Sequence, residues 1–197
     1  MAKTRLTKNE LKKQKEQLKR FNQYLPTLYL KKQQLQAEIH NILKAFEKET
    51  RALEKFNQEI TSWVKLFAEE TSIKEIIKFE KIEITTGNIA GIDVPIFRDI
   101  IFSVKEYDVR ETPLWLDDGI EAIKTKITMK AKLYILEQQL KLVSEEVRIT
   151  TQRVNLFEKV KIPEAKENIR KIRIFLGDLE TAAVVTGKIA KAKLAKI

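Results

Sequence analysis

Residues 11–67 read LKKQKEQLKRFNQYLPTLYLKKQQLQAEIHNILKAFEKETRALEKFNQEITSWVKLF, and their apolar side chains recur at coiled-coil spacing. Two positions in every seven form a seam that is apolar at fourteen of its seventeen occurrences. The seam positions are Leu11, Gln14, Leu18, Phe21, Leu25, Leu28, Lys32, Leu35, Ile39, Ile42, Phe46, Glu49, Leu53, Phe56, Ile60, Trp63 and Phe67. This repeat predicts one helix of roughly 85 Å that buries its stripe against a partner helix.

A second seam extends from about Ile120 into the C-terminal region. It reads Leu133, Leu136, Leu140, Val143, Val147, Val154 and Phe157, with Thr150 as a polar exception. Beyond Val160 it resumes one residue out of phase, at Ile162, Ala165, Ile169, Ile172, Leu176, Leu179 and Ala183. We expect the two seams to pack against each other, with a change of twist or a kink near Pro163.

The middle of the chain has a different pattern, because five of the nine Gly and Pro residues of the whole chain fall within 87–119. Alternation at residues 82–85 and a β-rich run at 92–97 predict a short β-hairpin near residues 81–97. Residues 100–104 read either as a further strand or as a buried turn. Within the hairpin, Thr86, Gly87, Asn88 and Gly91 resemble turn residues, and Pro95 favours an edge strand.

The predicted fold class is therefore mainly α: a long antiparallel two-helix coiled coil with a small middle segment that contains the hairpin. We expect residues 1–67 to form the N-terminal coiled-coil helix and residues 120–197 to form the C-terminal one. Residues 68–119 form the middle globular segment in this interpretation. Pro26 and Pro163 fall at nearly the same distance along the two helices, which predicts a shared bend at that level.

The net charge of +10 is unevenly distributed. Residues 1–20 carry a net charge of +6 and residues 188–197 a net charge of +4, whereas residues 66–121 carry −7. If the helices fold back, both basic ends lie at one tip, and the two tips seek different partners. Lysine-rich helix ends are either solvated faces or sites for acidic proteins or nucleic acid. Sparse aromatic residues near these ends argue against nucleic acid.

Nothing in the sequence predicts catalysis, a metal or a cofactor. The chain has no cysteine, and His40 is its only histidine. Gly187-Lys188 lacks the rest of a phosphate-binding loop, because Ala182 and Ile189 stand at its other key positions. With neither an apolar run of about 18 residues nor a signal-peptide pattern, we expect a soluble, cytosolic protein. Any membrane association would come through partners.

Several stretches resemble one protein family. The run from Thr151 to Pro163 resembles the R-V-N-x-x-E-x-x-x-I-P signature of the D subunit of V-type ATPases and ATP synthases. Its matching positions are Arg153, Val154, Asn155, Glu158, Ile162 and Pro163. Further resemblance comes, in the family's order, from residues 6–11, 28–32, 88–95 and 107–113.

The resemblance implies a non-catalytic central-stalk subunit, the rotor shaft that transmits torque between the catalytic head and the membrane ion-translocating ring. Its partners would be the catalytic A and B subunits, the small F subunit of the stalk, and the funnel-shaped C/d subunit that joins the membrane ring. The chain would then be cytoplasmic and peripheral to the membrane. No cofactor and no nucleic acid are implied.

Two groups of residues are candidates for contacts with these partners. The basic rotor tip, which would face the head, comprises Lys3, Arg5, Lys8, Lys12, Lys188, Lys191 and Lys193. The middle-segment contacts, which would face the F subunit, comprise Ile82, Ile84, Asn88, Gly91, Val94 and Pro95. A free-standing coiled-coil adaptor or a basic nucleic-acid scaffold explains length and charge equally well, but not the ordered motifs. A flagellar or secretion-type stalk protein is disfavoured because its signature is absent.

Overall fold

A computed structural model describes residues 5–61, 76–108 and 112–195 of the chain. In chain order its elements are helix α1 (Lys8–Thr61), strands β1 (Ile77–Ile89) and β2 (Ile92–Val104), helix α2 (Leu116–Leu156), a π-helical turn (Phe157–Lys161), and helix α3 (Ile162–Leu194). The predicted mainly α fold with a small central hairpin is confirmed. Trp63 and Phe67, predicted as seam residues, lie outside the described residues.

The chain divides into two compact units. The terminal unit comprises the described residues of 1–32 and 149–197, and the central unit comprises those of 33–148. Each unit therefore combines part of α1 with a helical segment from later in the chain.

In the terminal unit, α1 and the returning helix run antiparallel. Lys8 Nζ lies 3.8 Å from Glu180 Oε1, while Tyr29, farther along α1, contacts Glu158, which comes earlier in the returning helix. Neighbouring residues in the sequence determine where α1 begins, because the Thr7 hydroxyl caps the helix by accepting a hydrogen bond from the backbone N–H of Glu10. The seam is buried or half-buried at Leu11, Leu18, Phe21, Leu25, Val154, Ala165, Ile169 and Ile172.

The predicted seam is wrong at its far end. Leu179 is 51% exposed, and Ala183 is exposed as well. Helix α1 begins at Lys8, and Lys8 forms an ion pair with Glu180 of α3. Among the described residues, α1 therefore supplies no surface against which the turns of α3 beyond Glu180 could pack.

The central unit is held together by two apolar clusters. The first joins Leu35 and Ile42 of α1, Val94 of β2 and Val143 of α2, each at most 5% exposed. Leu136, Leu140 and Val147, which were predicted seam residues, pack around it. The second cluster lies at the open end of the hairpin and contains Ile77, Leu116 and Ile120. The hairpin is thus packed onto the helices near both of its ends.

The hairpin is longer than the predicted span of 81–97. Its strands pair antiparallel from Ile77 opposite Val104 to Ile89 opposite Ile92, so residues 100–104 belong to β2. The turn consists of Ala90 and Gly91, both with positive φ, as a two-residue hairpin turn of type I′ requires. The prediction of turn residues at 86–88 is wrong, because these residues pair with residues 93–95 inside the ladder.

One buried polar group stands out in the seam. Thr150 is 1% exposed, and its hydroxyl oxygen has no hydrogen-bond partner among the residues that the structure describes. A buried hydroxyl without a partner costs about 1–3 kcal/mol of desolvation. The residue thus weakens the seam at a position where an apolar side chain of the same shape would fit.

Replacing Thr150 by valine is expected to raise the free energy of unfolding by about 1 kcal/mol, because the substitution removes the unpaired hydroxyl and keeps the branched shape. Denaturant unfolding of the full chain measures this change. Thr186→Val is the matched control, since that hydroxyl is exposed and bonds the Ala182 carbonyl at 2.9 Å. The control should change stability by less than about 0.5 kcal/mol. A destabilised T150V chain would show that the hydroxyl has a stabilising role.

Candidate functional site

The titratable groups with shifted pKa values lie at the surface. Arg170 forms two hydrogen bonds to Glu167 and lowers the pKa of that carboxyl, and Arg148 acts in the same way on Glu145. Surface pairs of this kind record local ion pairing and do not identify an acid or base for catalysis. Residues 5–61, 76–108 and 112–195 contain no group of three or more His, Cys, Asp or Glu side chains placed to hold a metal ion.

The family-signature residues lie at the junction of α2 and α3. Val154 is 2% exposed and therefore structural, whereas Arg153 and Asn155 are exposed. Glu158 accepts a 2.8 Å hydrogen bond from the Tyr29 hydroxyl of α1, which raises the pKa of that tyrosine. Val154 and Glu158 thus hold the helix pair together, whereas the side chains of Arg153 and Asn155 are exposed to solvent.

The junction itself is a π turn. The backbone N–H of Ile162 donates to the carbonyl of Phe157, five residues earlier, instead of to a carbonyl four residues earlier. A π turn accommodates one extra residue, which accounts for the one-residue phase change between the two halves of the second seam. Pro163 follows in the first turn of α3, where the lack of an N–H is tolerated.

Pro26 and Pro163 lie at the same level of the terminal unit. The ring centroids of Phe21 and Phe157 are 5.3 Å apart, and the Tyr29 hydroxyl donates a hydrogen bond to Glu158, so Pro26 lies between two contacts to the π turn. Because the helices run antiparallel, the two prolines are within about one helical turn of each other along the pair. Pro26 lies inside α1, whose helical assignment continues through it. The shared bend stays a prediction.

The structure brings only some residues of the predicted basic tip close to one another. Lys8 and Lys12 lie on α1 beside α3 and line a groove with Leu176 and Glu180. The three lysines near the end of α3 are exposed and lie farther along that helix: Lys188, Lys191 and Lys193. Arg5 is exposed before α1, and Lys3 lies outside the described residues.

The predicted middle-segment contacts divide into surface and core. Ile84 is 49% exposed, and Asn88 is exposed next to the turn, where its Oδ1 accepts from the backbone N–H of Gly91. Ile82 and Pro95 are half-buried, and the Pro95 carbonyl accepts a hydrogen bond from Gln139. Val94 is 1% exposed and belongs to the core, so in this conformation it offers no partner surface.

Two surfaces were missed by reasoning from sequence. The hairpin exposes further large apolar side chains, at Phe79, Ile96 and Val104. The terminal unit carries a groove of about 840 Å³ between α1 and α3, which contains five cations and no carboxylate. It is lined by Lys15, Leu18, Lys19, Asn22, Gln23, Lys166, Ile169, Arg170, Arg173 and Ile174. In the sequence, this groove could have been predicted from basic residues that are spaced three and four apart along both helices.

Comparison with known proteins identifies relatives over nearly the whole chain. The model of the family of ATP synthase D subunits matches residues 10–192. The chain is 48% identical over 196 residues to the V-type ATP synthase D subunit of Borreliella burgdorferi, covering 100% of this chain and 97% of that protein.

More distant relatives carry the same description. The V-type ATP synthase D subunit of Chlamydia caviae is 36% identical over 193 residues, covering 96% of this chain and 93% of that protein. The protein of that description in Chlamydia trachomatis serovar L2 is 33% identical, covering 96% of this chain and 95% of that one. The match spans the helices of both units and the hairpin of the central unit.

Deleting Val160, an exposed residue of the π turn, is expected to leave the seam intact, because a regular α-helix would then bring both halves of the second seam into one phase. The midpoint of thermal unfolding should change by only a few degrees. Deleting the exposed Lys141 is the matched control. It would rotate Val143 and Val154 out of the seam, at a cost of about 1.5–3 kcal/mol for each. Equal losses from both deletions would contradict this interpretation of the π turn.

Proposed function

This chain belongs to the family of ATP synthase D subunits, and from that membership we propose that it is the rotor shaft of a V-type ATP synthase. It is a component of the central stalk of that complex. In this role it transmits torque between the hexamer of catalytic A and B subunits and the membrane ion-translocating ring. The chain itself catalyses no reaction and contributes to ATP turnover only within the complex.

The observation that carries this proposal is the family match over residues 10–192, which includes both helical pairs and the hairpin. A rotor needs an axis that resists twisting, and paired helices with a buried seam supply that stiffness. The fully buried Leu35, Val143 and Ile172 are examples of side chains that cannot be displaced without exposing apolar surface.

The partner contacts follow from the surfaces. Loose electrostatic contacts suit the part that turns inside the head, because deep apolar burial there would hold the rotor at one angle. The exposed basic residues of the terminal unit fit this requirement. The exposed Phe79, Ile84 and Ile96 of the hairpin are candidates for contacts with the F subunit or with the funnel-shaped C/d subunit.

The chain would be cytoplasmic and peripheral, reaching the membrane only through these partners. Among the described residues, none of the helices carries an apolar stretch that could cross a bilayer. Nucleic acid has no part in this function.

The direct test is co-purification of the tagged full chain from its own cells. A rotor should be recovered with A, B and F subunits, with A and B in excess over the tagged chain, since one shaft serves a hexamer. Recovery as a homodimer, or with unrelated proteins, would instead favour the coiled-coil adaptor. Recovery with nucleic acid that survives salt would favour the scaffold.

Neutralising the tip through Lys8→Gln, Lys12→Gln, Lys191→Gln and Lys193→Gln is expected to weaken the coupling of ATP hydrolysis to ion transport. The effect should be largest at low salt, because screening already weakens such contacts at high salt. Lys130→Gln with Lys141→Gln, on exposed positions of the central unit, is the control. Unchanged coupling and assembly in the quadruple variant would refute the electrostatic contact.

A further inference from the structure

We propose that the basic groove of the terminal unit, lined by Lys15, Lys19, Lys166 and Arg173, binds an acidic amphipathic protein segment. The segment would place carboxylates against the lysines and arginine and apolar side chains on the floor of the groove. The proposal rests on the proposed function only for where that segment resides, which is in the subunits surrounding the shaft.

The cations form two rows that face one groove. Along α1, lysines at positions 8, 12, 15 and 19 are separated by four, three and four residues, which places them on one helix face. Along α3, Lys166, Arg170 and Arg173 repeat the spacing of four and three. The larger groove of about 840 Å³ continues toward Glu180 as a smaller one of about 470 Å³, which shares Lys15 and Arg173 with it.

Among the described residues, most of these cations have no carboxylate as an ion-pair partner. Arg170 is committed to Glu167 through two 2.9 Å hydrogen bonds, and Lys8 lies 3.8 Å from Glu180. In the part of the chain that the structure describes, no carboxylate forms an ion pair with Lys15, Lys19, Lys166 or Arg173. Four like charges in one groove repel one another, so an anionic occupant lowers the free energy of the assembly.

The floor of the groove distinguishes a protein segment from a nucleic acid. It contains the apolar side chains Leu18, Ile169 and Ile174, and Ile174 is 53% exposed. No aromatic side chain lines the groove, so bases have no surface on which to stack. Leucine-like side chains of a peptide would bury this apolar floor, while a sugar-phosphate backbone would leave it exposed to water.

The groove is on one side of the helix pair only. The other side carries a smaller groove of about 330 Å³, where the charged lining residues are Lys161 and Glu164, 3.4 Å apart and of opposite sign. The two grooves therefore differ in charge, because the charged residues that line the larger one are cations alone and those that line the smaller one are one cation and one carboxylate. In a rotating shaft, an acidic segment that meets the larger groove would favour one angular position over the others.

The test uses the purified full chain and a fluorescein-labelled helical peptide of glutamate and leucine, with binding measured by fluorescence anisotropy. Lys19→Gln combined with Lys166→Gln is expected to weaken binding roughly tenfold, because the variant removes two exposed ion pairs and each makes a modest contribution. The double variant Lys130→Gln with Lys141→Gln, which removes the same charge from the central unit, should bind as the unmodified chain does. Polyglutamate and a single-stranded DNA oligonucleotide serve as comparison probes.

Two results together would support the proposal. Both comparison probes should bind more weakly than the glutamate–leucine peptide, and only the Lys19→Gln, Lys166→Gln variant should lose affinity for that peptide. Equal binding of the oligonucleotide or of polyglutamate would overturn it, because charge alone would then suffice. Equal affinity of the two double variants would overturn it as well. Co-purification separates this inference from the proposed function. A chain that enters the complex but does not bind the peptide disproves only the proposal that the groove binds an acidic segment. A chain that binds the peptide but is recovered without the A and B subunits disproves only the proposed rotor function.

Discussion

The burial of one apolar stripe of α1 against the helices that return from later in the chain is the constraint on which the other features depend. A pair of helices has no deep interior, so in each unit a few fully buried side chains, such as Leu35, Val143 and Ile172, supply much of the stability, about 1.5–3 kcal/mol each. The seam also fixes the rotation of each helix about its own axis. The direction in which each exposed residue faces is therefore fixed, and apolar packing determines where the charged surfaces lie.

The same constraint explains the irregular elements. Between the two seam phases of the second helix one residue is in excess, and the π turn at Phe157–Lys161 accommodates it without losing the pairing. Phe21 and Tyr29 of α1 contact this turn, so it is supported by the opposite helix. In the central unit, Val94 brings the hairpin into the cluster formed by the helices. Both irregular elements are thus in contact with α1 or with the cluster that α1 forms.

Function in such a molecule is a matter of which surfaces remain after packing. The central unit exposes apolar side chains on its hairpin, whereas the terminal unit exposes lysines and arginines along one groove. Apolar patches suit partners that stay bound, and solvated charges suit contacts that form and break as the shaft turns. The chain belongs to the family of ATP synthase D subunits, and this division of surfaces agrees with the proposed role of a shaft that is held by some subunits and turns past others.

The sequence by itself determined the helix pair, its seam from Leu11 to Ile60, the central hairpin and the phase change before Pro163, because periodicity and Gly or Pro placement are local signals. Only the tertiary structure decided that Val94 is core, that the hairpin extends to residues 77–104, and that Leu179 is exposed. Each of these depends on what lies opposite, which no local pattern encodes. Likewise, Lys15 and Lys166 are far apart in the chain, and they form one groove only because the antiparallel register brings them to the same level.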